Sequence, residues 1–172
     1  MKIKIQQAKL EDAQLLAEMG AHMFNASFGA FNSPKDMQAY LEKSFNHERI
    51  SADLRSTNTV YLLVMLAEQA IGYAKVCLSQ APASVPGRYP VELARIYIDL
   101  SHSSRGYGAQ LLAACVVVAK QLGGDTLWLG VWERNEKAIR FYRCWDFEIV
   151  GEMEFVLGDD LQNDYVMALE IG

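Results

Sequence analysis

Two short stretches of this chain carry residue types whose spacing can do chemistry. In the first, Arg105-Gly106-Tyr107-Gly108 stands just ahead of an apolar helical run, Leu111, Leu112, Cys115, Val116 and Ala119. Glycines let a backbone approach a ligand closely. The first N–H groups of a helix have no partner within it, and the helix dipole there favours an anion. Arg105 adds a guanidinium suited to phosphate. Such a loop can hold a pyrophosphate, although a purely structural Gly-x-Gly turn has the same spelling. It is not a dinucleotide fingerprint. Leu111 stands where the third glycine belongs, and the loop lies far from the chain start.

The second stretch runs from Trp128 to Tyr142, with Asn135 and Tyr142 at its chemical end. Asn135 is placed to cap a helix carrying Ala138, Ile139, Phe141 and Tyr142. Asn135 and Tyr142 lie about two helical turns apart on one face, so both can line one cleft. An aromatic pair on a short helix equally suits a core. Cys144 is no obvious covalent nucleophile, because His22, His47 and His102 are all distant in sequence.

The elements that must position these residues follow from periodicity and punctuation. Residues 2–8 alternate as a strand. An amphipathic helix spans 10–28, with Leu15, Leu16, Met19, Met23 and Phe24 on its apolar stripe. Asn32-Ser33-Pro34 opens a second helix, and a polar helical segment covers 47–55. Strands are expected at 59–67 and 71–80. After a proline-rich loop at 81–90, a strand at 91–99 leads through the glycine loop into a helix at 107–122. A strand at 126–132, a helix at 135–144 and strands near 147–157 and 163–170 complete the chain. The expectation is an α/β fold: a mixed sheet covered on both faces.

The chain has 172 residues, which fits one domain, 1–172. Apolar residues make up 51% and the net charge is −5. That balance opposes a nucleic-acid partner and suits a cationic substrate. The apolar runs are too short for a membrane span, which needs roughly 18 residues, and the N-terminus lacks the apolar core of a signal peptide. Three separated cysteines read as buried thiols in a reducing, cytoplasmic compartment, with no metal site. The closing strands, with Phe155, Val156, Leu157, Val166 and Met167, can pair across a homodimer or finish one subunit's sheet.

Taken together, the two stretches resemble the GNAT N-acetyltransferase superfamily. In that family a Gln/Arg-x-x-Gly-x-Gly/Ala loop binds the pyrophosphate of acetyl-CoA, after the strand that pairs with its pantetheine arm. The resemblance implies a largely antiparallel, twisted sheet of about seven strands. It places Ile96, Tyr97 and Ile98 along the arm, and Ser104, Arg105, Gly106, Tyr107, Gly108 and Ala109 at the pyrophosphate. Asn135 matches the Asn that contacts the cofactor and Tyr142 the Tyr beside the sulfur. Ser103 and Asp146 depart from the pattern, standing where Gln or Arg, and Gly, are usual. Over nearly the whole chain the sequence is similar to the PaiA-type polyamine N-acetyltransferases, through residues 32–41, 95–98, 128–136 and 158–167.

The implied reaction is direct acetyl transfer from acetyl-CoA to a primary amine in a ternary complex, with spermidine or spermine as the implied acceptor. An alkylammonium has a pKa of about 10.4, so its free amine is uphill by about 4.6 kcal/mol at pH 7. A base is needed, and the resemblance assigns it to Glu92. Tyr142 is implied as proton donor to the departing thiolate. Seven carboxylates, Asp36, Glu133, Glu152, Glu154, Asp159, Asp160 and Asp164, are available for a polycation. A protein or peptide amine as acceptor, and a non-catalytic CoA-sensing module, are the alternatives.

Overall fold

Residues 59–66 are dense in β-branched, aromatic and leucine side chains, and 69–77 carry Ile71, Tyr73 and Val76 among small residues, a composition that suits strands buried on both faces. In the computed structural model, which describes residues 2–172, they form β2 (Thr59–Leu66) and β3 (Gln69–Cys77), an antiparallel hairpin. The other strands are β1 (Ile3–Gln7), β4 (Pro90–Ile98), β5 (Thr126–Trp132), β6 (Glu148–Leu157) and β7 (Asp160–Glu170). They make one seven-stranded sheet in the order β1-β2-β3-β4-β5-β7-β6. Every neighbouring pair is antiparallel except β4 and β5. The expected mixed, largely antiparallel sheet of about seven strands is the observed one.

Helices cover both faces. On one face lies α4 (Tyr107–Gln121), whose Leu111, Leu112, Cys115 and Ala119 are completely buried against Val64, Ala74, Val76, Val91 and Leu127. Removing one such side chain, as in Leu111→Ala, costs about 2–5 kcal/mol. On the other face α1 (Ala13–Phe28) and α3 (His47–Arg55) pack over Tyr61, Leu63 and Tyr73. Beside them α2 (Pro34–Ser44) closes a smaller cluster of Phe24, Met37, Phe45 and Leu157. Ser33 caps α2, accepting from the Asp36 N–H at 3.1 Å, with Pro34 in the first turn.

Two expectations need correcting. Leu15 is off the buried stripe of α1 and 40% exposed, because the stripe is set by Ala13, Leu16, Ala17 and Gly20, and a neighbour is turned about 100° away. Cys144 is exposed, just past the end of α5 (Glu136–Arg143), whereas Cys77 and Cys115 are buried as expected.

One irregularity breaks the regular ladder of the sheet. Strands β4 and β5 pair only at Pro90–Thr126, Val91–Leu127 and Glu92–Trp128, and then part. On its other side, β4 carries a bulge: Lys75 faces Arg95 and Val76 faces Leu93, leaving Ala94 unmatched. A bulge bends its strand and increases the local twist. Beyond it, the β5-facing edge of residues 93–98 has no strand partner, while β5 continues against β7 as far as Trp132–Asp164. The sheet therefore opens into a V at its middle.

Candidate active site

Two cavities occupy the V and meet inside it. The larger, about 840 Å³, runs between Ile96–Ile98, the loop 102–109 and α5. Its floor is the loop before α4. Ser104 and Gly106 both have left-handed backbones, φ +62° and +77°. A non-glycine residue held there stores strain of about 1–3 kcal/mol, a feature concentrated at functional sites. No side chain caps α4 at Gly106, so the first-turn N–H groups remain free for an anion. A Cβ on Gly106 would meet nothing within 4 Å, so the space in front of the loop is open. Such a cradle fits a pyrophosphate.

The wall opposite supplies charge of the right sign. Arg134, Lys137 and Arg140 line this cavity with Glu136 as the only carboxylate, on a chain whose net charge is −5. These three cations escaped the sequence reading, although Lys137 and Arg140, three residues apart on α5, share one helix face and Arg134 stands just ahead of it. Arg105, expected here, is exposed and its side chain does not line the cavity. Ser103, Ser104, Gly106, Tyr107, Gly108 and Ala109 do. Asn135 caps α5, accepting from the Ala138 N–H at 3.2 Å, and lines both cavities. Asp146 ends that helical segment with φ +67°, the left-handed conformation a glycine would supply.

The smaller cavity, about 180 Å³, lies deeper, between β4, β5, β7 and the helices α1 and α2. Phe24, Phe28, Tyr40, Trp132 and Phe155 give it aromatic walls. Its charged side chains are Arg95 and Asp164. Arg95 lies over the Phe45 ring at 4.2 Å and donates to the Ser44 carbonyl at 3.2 Å, which fastens the end of α2 to the sheet. A third, more polar hollow of about 500 Å³ shares Trp132 and Gln162 with this cavity and carries Glu133, Glu154 and Asp160.

The seam between the two main cavities includes Ile96, Tyr97, Trp132, Asn135, Ala138 and Tyr142. Tyr142 is 8% exposed, and burial, with Cys115 nearby, holds its phenol well above the usual value. It is a neutral O–H at any working pH. Burial raises the Tyr97 phenol in the same way. Glu92 is not brought to the seam. It faces Cys77 across the sheet, accepts from the Ser79 hydroxyl at 2.7 Å and lies outside the linings of all three hollows.

This splayed sheet with a glycine loop and helix at its opening is an acyltransferase architecture, and sequence comparison agrees. Residues 21–147 match the acetyltransferase (GNAT) family, and the chain belongs to it. An uncharacterized N-acetyltransferase of the pepI 3′ region of Lactobacillus delbrueckii subsp. lactis is 31% identical over 165 residues, 96% of this chain and 95% of that one. An uncharacterized N-acetyltransferase of Mycobacterium tuberculosis is 26% identical, covering 94% and 99%. Among solved structures, the PaiA N-acetyltransferase of Thermoplasma acidophilum in complex with coenzyme A superposes with a TM-score of 0.78 at 18% identity, covering 99% of each chain. The YncA protein of Salmonella typhimurium, solved with its cofactor acetyl-CoA, gives 0.73 at 19%, covering 99% and 94%. These likenesses are of fold. No helix among the described residues is long and apolar enough to cross a membrane.

Proposed function

We propose that this N-acetyltransferase moves an acetyl group from acetyl-CoA to the primary amine of a small molecule, by direct attack within a ternary complex. The observation that carries the reading is the seam: an open, cationic channel and a smaller, aromatic pocket share one wall, and Tyr142 stands in it. Acetyl-CoA lies in the channel with its pyrophosphate on the loop 103–109, within reach of Arg134, Lys137 and Arg140. Its arm runs along Ile96, Tyr97 and Ile98, whose free edge offers backbone hydrogen bonds. One of those N–H groups polarises the thioester carbonyl.

The amine reaches the thioester from the aromatic pocket. Its nitrogen lone pair forms the C–N bond, the tetrahedral adduct collapses and the C–S bond breaks. Tyr142 donates its hydroxyl proton to the leaving sulfur and regains one from the new amide nitrogen. A thiol of pKa about 8.5 is a fair leaving group, so this donation helps without being indispensable.

Spermidine or spermine is the acceptor that the acidic hollow favours. Glu133, Glu154 and Asp160 lie outside the pocket and Asp164 inside it, so a second ammonium can be held while the first reacts. The exposed Ile149 and Val156 of the edge strand β6 support a homodimer, which sedimentation would test. The deciding measurement is thiol release from acetyl-CoA with spermidine, spermine, an amino-terminal dipeptide and an aminoglycoside. Turnover with the polyamines is expected. Turnover with the dipeptide alone would move the acceptor to a protein or peptide amine, and acetyl-CoA binding without turnover on any amine would favour a sensor.

A further inference from the structure

Asp164 is the only carboxylate among the described residues on the wall of the aromatic pocket. It is 8% exposed, on β7, opposite Trp132 of β5 and Met153 of β6. No hydrogen bond or ion pair reaches its oxygens among the described residues. Its oxygens are not sealed in the protein interior but open into the pocket, where a cation arriving from outside can pair with them. A Cβ on Gly130 would lie 3.3 Å from Oδ2, so the carboxylate hangs over bare backbone at the pocket floor. The nearby Gln162 amide is engaged elsewhere, donating to Asn32 and Asp160.

We infer that Asp164 receives the acceptor's ammonium as its ion-pair partner and takes the proton that must leave before attack. This rests on the reading that the amine occupies the aromatic pocket. It gives to Asp164 the role that the resemblance assigned to Glu92, whose carboxylate is bound to Ser79 outside the pocket. The charged and titratable groups around Asp164 are Arg95 and Tyr97 from β4, Tyr40 from α2, Tyr142 from α5 and Glu133 beyond β5. From α1 and β6 come Phe24, Phe28, Phe155 and Leu157 with Met153, none of them titratable. Burial, and then the Glu133 charge, lift the Asp164 carboxyl to about 6. An ordinary Asp, at about 3.9, would be a proton acceptor weaker by about two powers of ten. The proton passes from nitrogen to an Asp164 oxygen, the freed lone pair attacks, and Asp164 later releases that proton to solvent. Net products are the amide, the CoA thiol and one proton.

The test is the pH dependence of kcat/KM, with spermidine and a monoamine of similar length. An ammonium binding an ionised Asp164 gives a rise with unit slope up to about pH 6 and a plateau above it. In Asp164→Asn, only free amine reacts. The plateau should vanish, and the rate should climb about tenfold per pH unit towards the amine's own pKa of about 10.4. The loss would be about 10³-fold at pH 7 and smaller at pH 9. Asp164→Asn should also melt higher than wild type above pH 7, since a buried charge is removed, so inactivity from misfolding is distinguishable. Gly130→Ala, which crowds Oδ2, should lower kcat with acetyl-CoA affinity intact. A plateau retained in Asp164→Asn, or lost instead in Glu92→Gln, would overturn the assignment. A wild-type protein that acetylates no amine would overturn the acceptor-pocket reading itself, and the assignment with it.

Discussion

The two halves of the cleft, which the proposed reading assigns to donor and acceptor, are built from different materials. The donor half is mostly backbone: the open edge of Ile96–Ile98, the left-handed turn at Ser104 and Gly106, and the uncapped start of α4. The acceptor half is mostly side chains, drawn from α1, α2, β4, β5, β6 and β7. Backbone donors are indifferent to side-chain identity, so a ligand held by them can be recognised by many sequences. Side-chain walls change with every substitution. One scaffold can therefore keep its donor while the acceptor varies.

The variant expected to act most strongly after Asp164→Asn is Tyr142→Phe, at the seam itself. It should lower kcat by about 100-fold and leave acetyl-CoA binding unchanged, as read by steady-state rates beside calorimetry. A change in KM alone would mean that Tyr142 is only part of the wall. Next comes Gly106→Val, which forces a branched side chain into φ +77°. The KM for acetyl-CoA should rise about tenfold, and the KM for the amine should stay put. A matching rise in both would erase the division between the halves.

Smaller still is the electrostatic contribution of α5. Lys137→Gln with Arg140→Gln should raise the acetyl-CoA KM about threefold at low salt, the difference fading as ionic strength grows. At the bottom of the scale, Glu154→Gln should raise the spermidine KM about twofold and spare a monoamine acceptor. Equal effects on both amines would remove the acidic hollow from polyamine recognition.

The same division explains what could be read before the fold was known. The glycine loop, Asn135 and Tyr142 sit in two continuous stretches, where helix and turn chemistry constrains neighbours in sequence. Strand and helix positions were likewise legible, because they rest on periodicities of a few residues. The acceptor pocket was not. Asp164 is 69 residues from Arg95 and 140 from Phe24, and only the pairing of β5 with β7 sets its carboxylate beside Trp132. Glu92 lies outside the pocket for a related reason. Its place at the start of β4 is right for a base, but the strand begins to bend only at Ala94, so Glu92 remains inside the paired part of the sheet.

That bend has a consequence for the empty protein. The parting of β4 and β5 leaves a run of backbone amides and carbonyls open in mid-sheet, a place where other proteins close the ladder. On the proposed reading the arm of acetyl-CoA would act as a missing strand, and filling the gap would be a partial folding event. Amide hydrogen exchange at Ile96–Ile98 should slow when the donor binds. At a concentration 100 times its dissociation constant, the donor would stabilise the whole chain by about 2.7 kcal/mol. The cell's supply of acetyl-CoA would thus govern how long the enzyme lasts, as well as how fast it works.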